Sequence, residues 1–319
     1  MCAITGFLDY GHRVHHRVLL HLVKALTVAA ECRGTDATGM SYVKEGEIVT
    51  YKKPKPAHKM NFYFPKDTTA VICHNRMTTQ GSELRNYNNH PFEGVADKPF
   101  ALTHNGVIYN DAELRKEHQF LEPKIETDSY IAVQLIEEQG AVNFDTLKNM
   151  AEELLGSYTF SVLDASNTLW LIKGSNPLHL IHFPSLGLYV YASTKEITSK
   201  ALKATRLNQF HHVVINTCEG DIIRIDQHGS LSQSKFVPKE DVRYQHWGLP
   251  SLYGYCWDTK EPVDPFDDSY TALIELCGYF GVDEEEVQLL FEMGYSYNEI
   301  EGFLMNPSEL EAALMYSEI

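Results

Sequence analysis

Met1-Cys2-Ala3-Ile4-Thr5-Gly6-Phe7 is the stretch around which the rest of the chain is organised. A cysteine directly behind the initiator methionine becomes the first residue of the mature chain once the methionine is trimmed, and a side chain as small as that of Cys2 permits the trimming. Cys2 then carries a thiol and a free α-amine on one residue. The thiolate is the attacking form, and an ordinary cysteine is only about a few per cent thiolate near neutral pH. An α-amine, with a reference pKa of roughly 7.7–8.0, has a large neutral fraction there. It can take the thiol proton directly or through a water, and return it to a leaving amine. A cysteine at position 2 also arises by chance, so the motifs that follow have to decide between the two readings.

The chain has 319 residues, 44% of them hydrophobic, enough for one large domain and a smaller one. It has no apolar run of the roughly 18 residues a membrane span needs, and no basic-then-apolar start, so a cytoplasmic location is expected. The six cysteines, Cys2, Cys32, Cys73, Cys218, Cys256 and Cys277, are scattered without a C-x-x-C pair. That spacing argues against a zinc cluster and a disulfide framework, and fits a reducing compartment that keeps Cys2 free. His12, His15, His16 and His21 crowd one region without a carboxylate or cysteine at ligand spacing, so they are expected as surface histidines and no metal is expected. Residues 256–319 hold 16 Asp/Glu against the single basic Lys260, a net −15 out of the chain's −16. So acidic an end repels nucleic acid and anionic membranes; it serves either solubility or docking.

Along the chain, Val18, Leu19, Leu22, Val23, Leu26, Ala29 and Ala30 fall at helical spacing and predict a helix over 16–32. Arg33-Gly34-Thr35-Asp36-Ala37-Thr38-Gly39 has the glycines and short polar side chains of a turn. Strands at 40–43 and 48–52 flank a hairpin turn. A buried strand over 69–74 runs into the polar stretch Arg76-Met77-Thr78-Thr79-Gln80-Gly81-Ser82. A strand over 100–103 ends in His104-Asn105-Gly106. Asn-Gly is ordinarily a tight turn, yet an Asn side chain beside a backbone N–H is also a suitable donor pair for an oxyanion. Asp111 can cap a short helix, and Thr127-Asp128-Ser129 opens a longer one through Gln139, where Asp128 also fits as a plain helix-start residue.

With these residues in hand, the chain resembles the class II glutamine amidotransferases, a family of N-terminal-nucleophile hydrolases. It is most similar to the glutaminase half of the sugar-phosphate aminotransferase type. The matching stretches stand in the family's order: Met1-Cys2-Ala3-Ile4, Arg33 to Gly39, His74-Asn75-Arg76-Met77-Thr78-Thr79-Gln80-Gly81, Asn89-His90-Pro91, His104-Asn105-Gly106-Val107-Ile108-Tyr109-Asn110 and Thr127-Asp128-Ser129. Six motifs in register carry far more weight than any one. The similarity extends to about residue 226. It implies an α+β fold, a four-layer αββα sandwich with two antiparallel sheets between helices. Three departures stand out: Ala3 where the family commonly has Gly, Met77 in place of an aromatic residue, and Tyr130 where many relatives have Glu.

Carried over position by position, the resemblance implies Cys2 as nucleophile, Asn105 and Gly106 as oxyanion donors, and Arg33 orienting the terminus. Arg76 and Asp128 would bind the α-carboxylate and α-ammonium of L-glutamine, with Thr79 and His90 shaping the site. No cofactor is implied. Because only about 90 residues follow Asp226, the expectation is a glutaminase part that passes ammonia to a separate enzyme, or works within a homo-oligomer. Two other readings are an amide hydrolase acting on a different γ-glutamyl compound and a non-enzymatic scaffold with a relic domain. The expected division is an amidotransferase domain over 2–245, a linker over 246–266 rich in Gly, Pro and aromatics, and an acidic helical module over 267–319. The module's helices are expected at about 268–280 and 283–291, from a capping box at Ser296 and Glu299, and from Asn306-Pro307 onward; the pattern resembles a ubiquitin-associated-type module, with a plain helical cap as the simpler alternative.

Overall fold

The computed structural model describes residues 2–239 and, beyond them, residues 273–274, 277–278, 282–292, 300 and 303–304. The chain divides into two compact units, Met1–Tyr253 and Gly254–Ile319. The first holds two antiparallel sheets. One has seven strands, in the order β11 (Val213–Ile215), β9 (His179–Phe183), β10 (Leu188–Ala192), β1 (Ala3–Asp9), β4 (Ala70–Arg76), β2 (Ala37–Lys44) and β3 (Glu47–Lys53). The other has six: β13 (Leu231–Lys235), β12 (Asp221–Ile225), β8 (Leu169–Lys173), β7 (Gly156–Asp164), β6 (Pro99–Ile108) and β5 (Phe92–Val95).

Strand alternation builds the layers. In β1, Ala3 and Phe7 face a core shared with Leu19, Leu22, Val23 and Leu26 of α1 (His16–Ala29) and Ile197, Ala201 and Leu202 of α5 (Lys195–Thr205). The alternate residues Ile4 and Leu8 face a second core, with Ala101, Leu163, Leu171 and Ile223 of the other sheet. Phe100, Leu102, Phe160 and Val162 then turn the opposite way, toward Ile131, Leu135 and Ile136 of α3 (Tyr130–Gln139) and Leu147 and Met150 of α4 (Phe144–Glu153). Three cores between successive layers make a four-layer αββα sandwich. Both faces of each sheet are covered, which is why β1 and β4 are near-continuous buried runs rather than half-polar ones. Each fully buried Leu, Ile or Phe contributes on the order of 1.5–3 kcal/mol. Among the described residues no helix is long and apolar enough to cross a membrane.

Several local expectations need correcting. Ala37-Thr38-Gly39 is not turn but the start of β2. Thr38 pairs with both Asn75 and Lys53, and two-sided pairing overrides the local turn preference. Gly39 is there because a Cβ would meet the His90 carbonyl at 2.2 Å. Arg76 closes β4 instead of opening the loop. Asn105-Gly106 lies inside β6, paired with Thr159 and Tyr158, so it makes no hairpin turn. The predicted helix over 16–32 tightens into a 3-10 turn at Ala30–Cys32, and α2 (Asp111–Glu117) is preceded by Asn110 as its cap, with Asp111 instead bonded to Arg115 at 2.7 Å. Cys218 is disulfide-bonded, where the scattered spacing of the cysteines argued against a disulfide framework; sequence spacing says nothing about which cysteines a fold brings together.

In the second unit, α6 (Glu284–Glu292) is closed at its start by a reciprocal cap, Glu286 N–H to Asp283 Oδ1 at 2.9 Å and Asp283 N–H to Glu286 Oε2 at 3.0 Å. Val287 and Leu290 pack with Leu273, Cys277, Val282, Ile300 and Leu304. The linker over 246–266, the capping box at Ser296 and Glu299, the helix from Asn306-Pro307 and most of the helix at 268–280 lie outside the described residues.

His118, at the end of α2, bonds Glu138 of α3 through Nδ1 and Glu153 of α4 through Nε2, both at 2.7 Å. Burial opposes its protonation, but the two carboxylates prevail and raise its pKa above the ordinary value of 6.5. A raised folded-state pKa stabilises fully below the unfolded value and is lost as pH rises through the folded value. The melting temperature of H118Q is therefore expected to fall short of wild type at pH 5–6, with the gap closing at higher pH; a pH-independent gap would mean the ring acts only by packing on Phe120.

Candidate active site

Cys2 precedes β1, the strand held on one side by β4 and on the other by β10. Its carbonyl accepts Arg33 Nε at 3.0 Å, and Arg33 stands where the 3-10 turn after α1 delivers it. The Cys2 sulfur accepts the Met77 N–H and its thiol faces the Met77 carbonyl, both at 3.4 Å. Ser193, at the end of β10, closes the other side: its hydroxyl accepts the Ile4 N–H at 3.0 Å and its N–H donates to the Ile4 carbonyl at 2.9 Å. Gly34 permits this packing, because a Cβ there would sit 2.5 Å from the Arg76 carbonyl carbon. Asp36 ties the same loop on, accepting the Thr78 N–H at 2.7 Å.

Arg76 is buried at the end of β4. Its Nη1 donates to Asn89 Oδ1 at 2.7 Å, and Nη2 to the carbonyls of Gln80 and Gly81 at 2.6 and 2.9 Å, so the guanidinium holds loop 77–89 around itself. Asp128, also buried, accepts the Ile108 N–H at 2.6 Å and the Ser129 hydroxyl at 3.3 Å, which fixes it to the end of β6. Burial pushes the Cys2 thiol pKa up; the Met77 N–H and the Arg76 charge pull it down, and Asp128 pushes it up further. Arg76 in turn feels Cys2 and Asp128. A thiol, a buried cation and a buried anion thus share one electrostatic neighbourhood.

Asn105 is fully buried, and neither side-chain atom, Nδ2 nor Oδ1, has a hydrogen-bond partner. An orphaned buried amide costs about 1–3 kcal/mol per unsatisfied group, so it is a group waiting for a ligand or for water. Its neighbour Gly106 has φ +142°, a conformation open to glycine, and a Cβ would lie 1.9 Å from the Ser157 carbonyl.

Three imidazoles, those of His74, His90 and His104, cluster here. His90 lies with its ring centroid 4.2 Å from His74 and 4.1 Å from Phe92, and both its nitrogens lack partners. Burial lowers the pKa of His90 well below the ordinary value, that of His74 to about 3 and that of His104 to about 4. All three are neutral near pH 7 and supply no cationic acid there. Thr79 differs from the rest: it is exposed in the bend after Thr78, outside the buried cluster. Met77 is exposed by side chain and meets Cys2 through its backbone. Tyr130 packs edge-on against Phe92, at 5.6 Å, in the helical core, and Ala3 is accommodated without exposure.

Three residues here escape sequence reasoning. Lys52 donates to the Asn89 and Pro91 carbonyls at 2.6 and 2.9 Å, and burial lowers its pKa to about 8. Ser193 and Asn176 are the others, Asn176 Nδ2 donating to the Asn105 carbonyl at 3.1 Å. A lysine turned inward from β3 breaks the polar-out pattern and was a usable signal; the other two carry none. Two surface grooves, one along α1 and α5 past Val28 and Lys200, the other at His15, His16, Arg17 and Lys66, share no residue with this cluster. Among the described residues no group of three or more His, Cys, Asp or Glu is placed to hold a metal ion.

Residues 74–199 match the family described as the glutamine amidotransferase domain. The 7-cyano-7-deazaguanine synthase of Saccharolobus solfataricus is 28% identical over 203 residues, 61% of this chain and 43% of that protein. The isomerizing glutamine–fructose-6-phosphate aminotransferase of Bacillus cereus is 32% identical over 186 residues, 56% of this chain and 30% of that protein. Among solved structures, the glutamine phosphoribosylpyrophosphate amidotransferase from B. subtilis superposes with a TM-score of 0.57 at 20% identity, over 74% of this chain and 49% of that one. The chain spans less than half the length of each of these relatives.

Proposed function

We propose that this chain, similar over residues 74–199 to a glutamine amidotransferase domain, is a class II glutamine amidotransferase that hydrolyses L-glutamine to glutamate and ammonia through a thioester on Cys2 and passes the ammonia to a separate enzyme. The observation that carries this is the Cys2 thiol set in the shared field of Arg76 and Asp128, two opposite buried charges suited to the carboxylate and ammonium of a free amino acid. A guanidinium fork meets a carboxylate in two parallel bonds, which a lysine cannot do.

On this reading Met1 is removed and the α-amine of Cys2 takes the thiol proton. The thiolate attacks the side-chain amide carbon, and the oxygen becomes an oxyanion held by Asn105 Nδ2 and the Gly106 N–H. The protonated amine then gives its proton to the departing nitrogen, ammonia leaves, and a γ-glutamyl thioester remains. A water, deprotonated by the same amine, attacks the thioester; glutamate departs and the thiol is restored. Arg33 holds the Cys2 carbonyl, and so the direction of the terminus. His90, neutral and stacked, shapes the wall beneath the loop that Arg76 gathers, and Thr79 reaches substrate only if that exposed bend closes over it. Catalysis is assigned to 2–245, joined through 246–266 to an acidic module over 267–319 that docks the ammonia acceptor.

The test is turnover of glutamine by the purified chain, with glutamate and ammonia released in equal amounts. R76K is expected to raise KM about 10–100-fold, the scale of a lost charge-assisted bond in a buried site. A chain ending at Gly248 should keep this turnover and lose the acceptor. If wild type hydrolyses amides without a free amino-acid end as well as it does glutamine, the assignment of substrate fails.

A further inference from the structure

The two donors assigned to the oxyanion differ in kind. Asn105 Nδ2 is on a side chain, whereas the Gly106 N–H belongs to a peptide unit and points where that unit points. In a trans peptide the carbonyl of one residue and the N–H of the next face opposite ways in one plane. Whatever grips the Asn105 carbonyl therefore sets the direction of the Gly106 N–H.

That grip comes from Asn176, 71 residues along the chain, whose Nδ2 donates to the Asn105 carbonyl at 3.1 Å. Asn176 is itself held, its carbonyl accepting Thr159 Oγ1 at 2.6 Å, and Thr159 is the β7 residue in register with Asn105. The approach is close: a Cβ on Gly106 would lie 2.7 Å from Asn176 Nδ2. Gly106, at φ +142°, has no side chain to limit rotation of its own peptide, so its orientation depends on the strand pairing with β7 and on the Asn176 bond.

We propose that Asn176 is a positioning residue for glutamine hydrolysis: it fixes the Asn105–Gly106 peptide so that the Gly106 N–H stays aimed at the developing oxyanion. By hydrogen bonding to the carbonyl it also polarises the peptide and strengthens the N–H as a donor. Asn176 acts through this peptide alone. The proposal rests on the glutaminase reading above.

The experiment compares wild type, N176A, N176D and N105A for kcat, KM, and affinity for two ligands. Glutamate γ-semialdehyde adds to the cysteine and places an oxyanion-like oxygen in the site, while glutamate tests ground-state binding only. N176D keeps the size and turn preference of asparagine but cannot donate from its carboxylate, so it carries the test should N176A fail to fold. Both Asn176 variants are expected to lose about 10–100-fold in kcat, as a small misalignment of a catalytic donor does. Aldehyde affinity should fall in parallel, with KM and glutamate affinity within about twofold of wild type. Wild-type kcat and aldehyde affinity in N176D, or equal losses for glutamate and aldehyde, would overturn the role of Asn176. If wild type releases no ammonia or N105A is fully active, it is the glutaminase reading that falls.

Discussion

C2A is expected to lower kcat for glutamine by roughly 10⁵–10⁶-fold, the scale seen when a hydrolase loses its nucleophile. The loss should not come from unfolding. Cys2 is only partly buried, and its sulfur makes two long contacts, at 3.4 Å, to the backbone of Met77. Alanine leaves β1 paired with β4 and β10 and leaves the Arg33 bond to the residue 2 carbonyl in place. The Tm of C2A should therefore stay close to wild type. Burial raises the thiol pKa, so a neighbouring base is needed to form thiolate near neutral pH, and the wild-type rate should climb through the α-amine pKa of roughly 7.7–8.0. The measurement is steady-state ammonia release across pH, with intact mass before and after 6-diazo-5-oxonorleucine. One adduct on Cys2 of a chain lacking Met1 fits this account. Retention of Met1 on a fully active enzyme, or appreciable turnover by C2A, would refute the terminal nucleophile.

The parts of this site that sequence shows are those whose role is local. Cys2, Arg76 and Asp128 sit at strand or helix boundaries, in short polar motifs, and the fold places them there in register. The four-layer sandwich was implied by the family resemblance alone; β1 and β4, buried on both faces, and α1, with one apolar stripe, are compatible with it. Strand pairing is what sequence could not show. Ala37-Thr38-Gly39 and Asn105-Gly106 have turn residues, and a lone segment with them would turn; pairing with β3 and β4 in the first case, and with β7 in the second, holds each extended. Asn176 and Ser193 act on residues 71 and 189 positions away, so no local pattern marks them. Thr79 lies in the same motif as the buried Arg76 but in its exposed stretch, a difference that the motif alone does not show.

On the proposed reading, Asn105 separates the demands of folding from those of catalysis. Its amide is fully buried, and both polar atoms lack partners, so in the resting protein it is a net cost. Leucine has nearly the same branched shape without the polar atoms. N105L is therefore expected to melt at the wild-type temperature or above it, since replacing unsatisfied polar atoms by apolar ones of similar shape is neutral or stabilising. The same change should lower kcat about 10²–10³-fold, the typical loss of one oxyanion donor. KM should move little, because the donor is worth most when charge develops on the oxygen and little when the neutral amide is bound. Thermal melts and steady-state kinetics on one preparation decide it. A clear drop in Tm with kcat preserved would make Asn105 a packing residue satisfied by water. Stability kept and turnover lost would instead show a polar group buried at the expense of the fold because the transition state, and not the resting enzyme, supplies its partner.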